Sequence, residues 1–404
     1  MKNWKTCGTA AVFLGLLALG TGASLLWPQR RFSETENRYL TGRPELSLEG
    51  VMDGSYGETY EKYLGDQFPL RDGFVGIKTA AERFLGRQDV NGVYFGKDGY
   101  LLERFEREDI ETEQLEENLD ALAAFLLTEG ERLGTDRVKA MLVPSAAWAM
   151  PEKLPLLAAP YDQQEVLRKL SARLGGAEVL VDAGTALRES GKDGLYYRTD
   201  HHWTVSGAYE GYRAWAEAMG IVPWERSAFS VETVSRDFVG TVQAKVNWKT
   251  EPDAMERWTP RDGTAYEVFY DGSEEKAAGG LYTESALESR DKYRFYLDGN
   301  HGLTEIRTVR GTGETESDSH SSPGAGGQPR RLCIIKDSYA NSFAPFAANH
   351  YETTFLLDLR YFNGNISHFL EQEGITDLLV LYRIPGFAAE ETLWKLPVAK
   401  QGGL

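Results

Sequence analysis

Segments with helix patterns and segments with strand patterns alternate along this chain, which limits the folds it can adopt. Amphipathic helical patterns cover TEQLEENLDALAAFLLTEGERLG, YDQQEVLRKLSARLG and SGAYEGYRAWAEAMG. Short apolar runs typical of buried strands are RVKAMLV, AEVLVDAG, RLCII and TDLLVLYRI. Strands that alternate with helices of this length predict parallel strands joined by crossovers. We therefore expect an α/β fold with a mainly parallel sheet and a site at the carboxyl ends of its strands.

Length and charge narrow the class further. The chain has 404 residues, enough for two domains or for one decorated α/β domain. Its formal net charge of −17 argues against nucleic acid as a partner, because polyanions are bound by Lys and Arg surfaces. The two cysteines, Cys7 and Cys333, lie far apart in the sequence and imply no disulfide framework.

The N-terminal segment, residues 1–30, predicts a membrane anchor or a signal sequence. Two lysines precede an apolar run from about Gly8 to Trp27, and Arg30 and Arg31 follow it. A run of roughly 20 residues suits one membrane-spanning helix. A cleaved signal peptide is the alternative, although its apolar region is usually shorter, about 7–15 residues. We favour a single-pass anchor in the cell membrane, with the main domain outside the cytoplasm.

Composition divides the remainder of the chain into two regions. Residues 31–88 predict a polar connector followed by a helical N-terminal region, and residues 89–404 predict the α/β domain. Within that domain, residues 224–310 are less regular and are expected to form an irregular insertion. Residues 311–329 read GTGETESDSHSSPGAGGQP, a composition that predicts a flexible loop.

The stretch RLCIIKDSYANSF contains a candidate nucleophile, Ser338. An apolar strand ends just before it and a helix-like run follows. A serine at such a turn exposes its hydroxyl at the carboxyl end of the sheet, and backbone N–H groups of the next turn could stabilise an oxyanion. The alternative is that Ser338 or Asp337 only caps the helix, which both residue types do well.

The stretch YRTDHHWTVSGAY contains a candidate base. The chain has six histidines, and two of them stand together here. His202 would take the proton of a serine hydroxyl, and Asp200, two residues away, would orient the imidazole. On an extended segment or tight loop, these two side chains fall on one side and His201 points away. The side chain of Trp203 would form one side of the site.

Two other interpretations of this stretch remain open. The first is a surface loop with two solvated histidines. Asp-His-His could also supply metal ligands, but such sites need further Asp or His clusters and the remaining histidines are isolated. We expect no metal and no cofactor.

The pair TDHHWT and, downstream, KDSYANSF resembles the DHHW family, which is similar to the SGNH-type domains of the alginate O-acetylation proteins. Further blocks of the same resemblance follow in the expected order: RFSETENRYLTGRPELS, YLGDQFPLRDGFVGIK, NGVYFGKDGYLLE, LVPSAAWAMPEKLP, DFVGTVQAKV and YRFYLDGNHGLTEI. They extend over most of the chain after the N-terminal segment. The resemblance implies an SGNH-hydrolase-like three-layer fold in circularly permuted order, with the Asp and His before the Ser.

The resemblance also implies roles for single residues. Asp200 matches the orienting acid, His202 the base and Ser338 the nucleophile. The alginate proteins carry Asp-Thr-His-Trp, so His201 replaces a threonine and receives no role. Lys336 stands where SGNH proteins usually have glycine, which puts the tightness of that turn in doubt.

The groups that would bind an oxyanion or the substrate are less defined by the sequence. The backbone N–H of Ser338 is the first choice. Arg360, in LLDLRYF after a predicted strand, could hold an acyl oxygen or form an ordinary salt bridge. Asn300, Tyr382 and Trp203 are further candidates, each with a structural alternative.

The function implied is an extracytoplasmic, serine-dependent O-acyltransferase. It would carry acetyl, through an acyl-serine, to a hydroxyl of a cell-surface or exported glycan, with a membrane-bound O-acyltransferase as the partner that brings the acyl group across. One alternative is a carbohydrate acetyl esterase with the same triad and water as the acceptor. Another is a non-catalytic glycan-binding or assembly protein.

Overall fold

A computed structural model describes residues 2–33, 38–176, 178–310 and 329–396 of the protein. The chain forms two compact units, Met1–Asn91 with Gln243–Lys249, and Gly92–Val242 with Thr250–Leu404. The flexible loop predicted at 311–329 lies outside the described residues, apart from its last residue.

The first unit is mainly helical. Its elements are α1 (Lys2–Leu26), β1 (Phe32–Ser33), β2 (Arg38–Tyr39), α2 (Leu48–Met52), α3 (Ser55–Asp66), α4 (Arg71–Phe84) and β3 (Asp89–Val90). Side-chain hydrogen bonds attach the segment 243–249 to this unit, because Thr79 Oγ1 donates to the Val246 carbonyl at 2.7 Å and Asn91 Nδ2 to the Lys245 carbonyl at 2.8 Å.

The N-terminal helix α1 covers most of the segment for which the sequence predicts a membrane span. In the part of the chain that the structure describes, we find no helix with both the length and the apolar character needed to cross a bilayer. The transmembrane helix predicted within residues 1–30 is therefore not supported.

The second unit contains alternating strands and helices. In chain order they are β4 (Val93–Phe95), β5 (Leu101–Glu103), α5 (Arg107–Ile110), α6 (Glu113–Leu133), β6 (Val138–Val143), α7 (Ala146–Ala149), α8 (Gln164–Leu174), α9 (Ala183–Glu189), α10 (Val205–Ala218), β7 (Phe229–Phe238), α11 (Thr241–Val246, which continues into the segment of the first unit), β8 (Asp253–Pro260), β9 (Ala265–Tyr270), β10 (Leu303–Val309), β11 (Arg331–Lys336), α12 (Ala340–Ala347), β12 (Thr353–Leu357), α13 (Ile366–Gln372), β13 (Asp377–Arg383) and α14 (Ile384–Ala388).

A six-stranded mixed sheet forms the centre of this unit, in the order β6-β13-β11-β12-β10-β9. The four strands β6, β13, β11 and β12 are parallel, whereas β10 and β9 pair antiparallel at one edge. The predicted α/β fold is confirmed. The segment 224–310, expected to be irregular, contributes both antiparallel strands and also the β7–β8 pair.

Successive residues of the central strands enter two different apolar cores. On β11, Leu332 and Ile334 belong to one core, and Cys333 and Ile335 to the other. Helices α10 and α12 supply residues to the first core, while α6, α8, α13 and α14 supply the second. Both faces of a parallel sheet are covered in this way, and the unit has three layers.

One predicted strand is almost absent. Among residues 178–184, which the structure describes, only Leu180 forms a β-bridge, a parallel one to Ala140. The reason is local, because the Asp182 side chain accepts a hydrogen bond from the Thr185 N–H at 2.9 Å and caps α9, which begins at Ala183. Helix capping thus ends the extended segment one residue after Val181.

Candidate active site

Ser338 lies in the turn between β11 and α12, at the carboxyl end of the parallel strands. The carboxylate of Asp337 holds this turn, since it accepts hydrogen bonds from the backbone N–H groups of Tyr339 at 2.9 Å and Arg383 at 2.8 Å. Asp337 and Tyr339 are buried, whereas Ser338 is partly exposed. Because Asp337 supplies the local backbone bonds, the hydroxyl of Ser338 is left for another partner.

That partner comes from a tight loop before α10. Tyr196 and Trp203 pair as an antiparallel bridge, and the Tyr197 N–H donates to the His202 carbonyl at 3.2 Å. The Trp203 indole N–H donates to the Tyr339 carbonyl at 3.0 Å. Trp203 is fully buried, so it fastens the loop to the serine turn and does not wall an open site.

Three predicted residues form one hydrogen-bonded line. His202 Nε2 lies 2.7 Å from Ser338 Oγ, and His202 Nδ1 lies 2.5 Å from Asp200 Oδ1. Asp200 and His202 are buried, and Ser338 is the member that solvent reaches. The arrangement provides a hydroxyl, a base that can take its proton and a carboxylate that orients the base.

Asp200 is held by more than the histidine. Its Oδ2 accepts hydrogen bonds from the Thr241 N–H at 2.8 Å and from Thr241 Oγ1 at 3.0 Å. Burial would raise the pKa of the Asp200 carboxyl, but the two imidazoles and the hydrogen bonds from His202 and Thr241 outweigh it and hold the pKa well below its usual range. Asp200 is therefore a carboxylate whenever the protein is folded near neutral pH.

Two rings stack on the His202 imidazole. Tyr293 lies 3.7 Å from it between ring centroids, at an interplanar angle of 10°, and His201 lies 3.9 Å from it at 35°. The expectation that His201 points away is wrong. The loop is so tight that its adjacent rings pack on each other.

The candidates for oxyanion and substrate binding occupy different positions. Among the described residues, we find no protein acceptor for the Ser338 N–H. Arg360 makes a two-pronged ion pair with Asp358, at 2.8 Å from Nε and 2.5 Å from a terminal nitrogen. Tyr382 is buried in the second apolar core and packs on Phe387, so it is placed as a core residue.

Asn300 is bound through Lys336, the residue in the place of the SGNH glycine. Lys336 is buried, and its ammonium donates to Asn300 Oδ1 at 2.7 Å and to Asn341 Oδ1 at 2.8 Å. Burial lowers the pKa of Lys336 to about 8, against the opposing attraction of Asp358 at 3.8 Å. Lys336 points into this polar cluster, and the turn at Ser338 is formed without a glycine.

A metal ion fits this site poorly. The side-chain donor atoms of Asp200, His201 and His202 lie within 4.8 Å of one another. However, both ring nitrogens of His202 are already bonded, one to Asp200 and one to Ser338. A metal would have to displace the bonds that define the triad.

A cavity of about 210 Å³ lies beside the same loop. Its lining includes Tyr100, Tyr197, Arg198, Asp253 and Glu256. None of the three triad residues lines it.

Sequence reasoning did not assign roles to Thr241 and Tyr293. Both lie in stretches that carry the family resemblance, DFVGTVQAKV and YRFYLDGNHGLTEI. Their presence in those stretches was the available signal. Which side chain each one meets depends on packing between distant segments and could not be read locally.

The three-layer fold and the Ser–His–Asp line at the carboxyl ends of its parallel strands define an SGNH-hydrolase-like α/β domain. Residues 93–286, just under half of the chain, match the sequence model of the SGNH hydrolase-like domain of the acetyltransferase AlgX. This stretch contains Asp200 and His202 but ends before Ser338. The resemblance predicted from the sequence is confirmed.

Solved structures show the same fold. A DHHW family protein from Eubacterium siraeum is 23% identical, with a TM-score of 0.57, over 76% of this chain and 95% of that one. PatB1 from Bacillus cereus is 18% identical, with a TM-score of 0.57, over 74% and 97%. PatB1 with a sulfonyl adduct is 19% identical, with a TM-score of 0.56, over 74% and 96%. No curated protein matches the sequence.

Proposed function

We propose that this protein is a serine-dependent O-acyltransferase that passes an acyl group, in the first place acetyl, to a hydroxyl of a polysaccharide. The observation that carries the proposal is the unbroken line from Asp200 through His202 to Ser338, with 2.5 and 2.7 Å between its side-chain atoms. The family match to an acetyltransferase domain supports acyl transfer as the reaction class.

The reaction has two halves that use the same groups. Ser338 Oγ attacks the acyl carbonyl while His202 Nε2 takes its proton, and the donor leaves with that proton. The acceptor hydroxyl then attacks the acyl-serine, gives its proton to His202, and Ser338 recovers it as the ester bond to the enzyme breaks. Asp200 stabilises the imidazolium in both halves, and the Ser338 N–H faces the oxyanion.

Hydrolysis differs from transfer only in the second half. If water replaces the acceptor hydroxyl, the same triad acts as an acetyl esterase. The site geometry is common to both reactions, and the match to an acetyltransferase domain favours transfer. We therefore propose transfer, and the experiment with an oligosaccharide acceptor distinguishes it from hydrolysis.

We also propose that the protein works outside the cytoplasm, where an exported glycan would meet it. The support is the apolar N-terminal segment after two lysines, which suits export. A membrane-bound O-acyltransferase would then supply the acyl group. Fractionation of cells that make the tagged full-length protein, followed by protease treatment of intact cells, checks this. Tagged protein that stays protected in intact cells and becomes cleavable only after lysis would contradict it.

The decisive experiment measures acetyl release and acetyl transfer with the purified full chain. A chromogenic acetyl ester serves as donor, with and without an oligosaccharide acceptor. Ser338→Ala and His202→Ala should each lower the rate by at least about 10³-fold, as loss of a nucleophile or its base does in comparable triads. The exposed residues Ser230 and His368 provide controls of matched type, Ser230→Ala and His368→Ala.

Covalent labelling identifies the nucleophile independently of turnover. An aromatic sulfonyl fluoride should modify Ser338 in the wild type and should not modify that position in His202→Ala, because the base is needed to activate the hydroxyl. Acetylated oligosaccharide in the product supports transferase activity, and acetate alone supports the esterase. If the wild type shows no turnover and no labelling of Ser338, the result favours a glycan-binding protein.

A further inference from the structure

The site contains a second imidazole that the triad does not use. The His201 ring lies 3.9 Å from the His202 ring, and the Tyr293 ring lies 3.7 Å from it. Two rings at such short separations cannot both lie on one side of a third ring without overlapping. His201 and Tyr293 therefore cover opposite faces of the His202 imidazole.

His201 is also joined to the far side of Asp200 through a threonine. Thr241 Oγ1 lies 3.0 Å from Asp200 Oδ2 and 2.8 Å from His201 Nδ1. A threonine hydroxyl has one hydrogen, and a carboxylate only accepts. Thr241 must then donate to Asp200 and accept from His201. This assignment puts the proton of His201 on Nδ1.

The surroundings keep His201 neutral. The ring is partly buried, and its pKa lies at about 3, because desolvation first and the neighbouring His202 second lower the pKa by more than Asp200 raises it. The more distant charged groups are Arg383, which lowers the pKa, and Glu103, which raises it. The hydroxyl of Tyr339 donates to the His201 carbonyl.

Neutrality matters because His202 becomes positively charged when it takes a proton from serine. A second positive ring at 3.9 Å would oppose that charge, whereas a neutral ring face attracts a cation. Tyr293 offers the same kind of face on the other side.

We infer that His201 is a positioning residue that clamps the triad in two ways, by stacking on His202 and by holding Asp200 through Thr241. The inference rests on the proposed function, in which His202 moves the protons. It assigns a role to a residue whose position in the sequence suggested none. The clamp keeps the imidazole in the plane that joins Asp200 to Ser338.

Two substitutions separate the two parts of the clamp. His201→Phe keeps a ring against His202 and loses the donor to Thr241, whereas His201→Asn keeps a donor near the Nδ1 position and loses the ring. His201→Ala removes both. Tyr293→Phe and Tyr293→Leu form a second matched pair on the other face, and His368→Ala is the control on a surface histidine.

Kinetics on the full-length protein give the first readout. His201→Ala should lower kcat by about 10- to 100-fold, the effect of a misplaced catalytic group, while KM stays within about twofold. In His201→Phe and in His201→Asn, kcat should fall by less than it does in His201→Ala. Tyr293→Phe should keep a higher kcat than Tyr293→Leu. A loss confined to KM would overturn positioning and make His201 a substrate-binding residue.

Proton NMR gives a readout that does not need turnover. The proton between His202 Nδ1 and Asp200 Oδ1 sits in a 2.5 Å hydrogen bond and should resonate far downfield. His202→Ala assigns that signal by removing it. In folded His201→Ala the signal should shift and weaken through exchange with water, and His201→Phe and His201→Asn should show smaller changes.

The outcomes distinguish this inference from the proposed function. An unchanged kcat and an unchanged downfield signal in folded His201→Ala would overturn the clamp, even if Ser338 proves to be the nucleophile. Conversely, if the wild type shows neither turnover nor labelling of Ser338, the proposed function is wrong. The NMR comparison would still test whether His201 holds Asp200 and His202 in place.

Discussion

Asp200 owes its position to a glycine that leaves no space beside it. A Cβ atom on Gly240 would lie 2.2 Å from Asp200 Cβ and 2.3 Å from its Oδ2. Such distances are far inside van der Waals contact. Gly240 also precedes Thr241, whose N–H and hydroxyl bind the same carboxylate. The main chain at this glycine therefore shapes the acid end of the triad.

Gly240→Ala should consequently disable the site. The added methyl group must push the Asp200 side chain away, and a displacement of about 1 Å in a catalytic group can cost about 100-fold in rate. The measurement is kcat together with a thermal unfolding curve. Gly176→Ala is the matched control, because a Cβ there meets no atom within 4 Å. Wild-type kcat in Gly240→Ala would mean that Asp200 does not orient His202.

The buried Lys336 makes the unfolding free energy of the protein depend on pH. Burial lowers its folded-state pKa to about 8, below the ordinary lysine value of 10.5. Between these values the unfolded chain binds more protons than the folded one, so the unfolding free energy contributed by this group rises with pH. Below pH 8, the buried charge opposes folding by an amount on the order of 3 kcal/mol.

Chemical denaturation of wild type and Lys336→Met from pH 7 to 10 tests this. The variant has no titrating group at the position, so wild type should become more stable relative to it as pH rises above 8. Lys276→Met, at a surface lysine that faces Glu267, is the control. If the difference in unfolding free energy between the wild type and Lys336→Met stays the same from pH 7 to 10, the prediction is wrong.

At the scale of elements, the indole of Trp203 is one of the groups that join the loop before α10 to the turn before α12, together with the His202–Ser338 hydrogen bond and the bond from the Tyr339 hydroxyl to the His201 carbonyl. The Trp203 N–H donates to the Tyr339 carbonyl at 3.0 Å, and the ring also packs near Phe343 of α12. Removal of the donor takes away the bond by which this loop holds that carbonyl. That carbonyl belongs to the residue directly after Ser338.

Trp203→Phe should therefore lower both stability and rate. Loss of this buried hydrogen bond should cost about 1 kcal/mol of unfolding free energy, and the loop should lose its fixed distance to Ser338. Denaturant unfolding and kcat measure the two effects. Tyr209→Phe on α10, which removes a hydrogen bond to the Trp224 carbonyl, controls for general destabilisation. A loss of stability in Trp203→Phe with no loss of kcat would separate the loop from the triad.

Elements with a strong local pattern could be predicted from the sequence. Strands β6, β11 and β13 are apolar runs buried on both faces, and helices α6, α8 and α10 have clear amphipathic patterns. By contrast, β9 and β10 carry Glu267, Glu305 and Arg307 at the sheet edge, where one side is open to solvent. Their pairing is a long-range choice that local composition does not reveal.

The same difference applies to the site. Asp200, His202 and Ser338 could be proposed because each has a local signal, two close positions in one loop and a strand-to-helix turn. Thr241 and Tyr293 have no such signal, since their roles come from packing against Asp200 and His202. His201 was expected to point away because an extended segment turns successive side chains to opposite sides, whereas the actual loop is tight enough to bring the two rings together.

For the molecule as a whole, the dominant property is its negative charge. The formal net charge is −17, and a charged surface repels polymers of the same sign over the Debye length, about 8 Å at physiological ionic strength. An acceptor glycan with many carboxylates would approach such a protein slowly. A neutral glycan would meet no such barrier.

Transfer to a neutral oligosaccharide should therefore be faster than transfer to an oligogalacturonide of equal length, mainly through kcat/KM. Added sodium chloride should narrow the difference, because it screens repulsion with the charged acceptor and leaves the neutral one unaffected. The assay measures acetyl transfer at several salt concentrations, with hydrolysis of a small uncharged ester as the control for direct salt effects on the triad. If the anionic acceptor reacts faster at low salt, a local cationic surface must select it against the net charge, and the partly exposed guanidinium of Arg360 would be the first group to substitute.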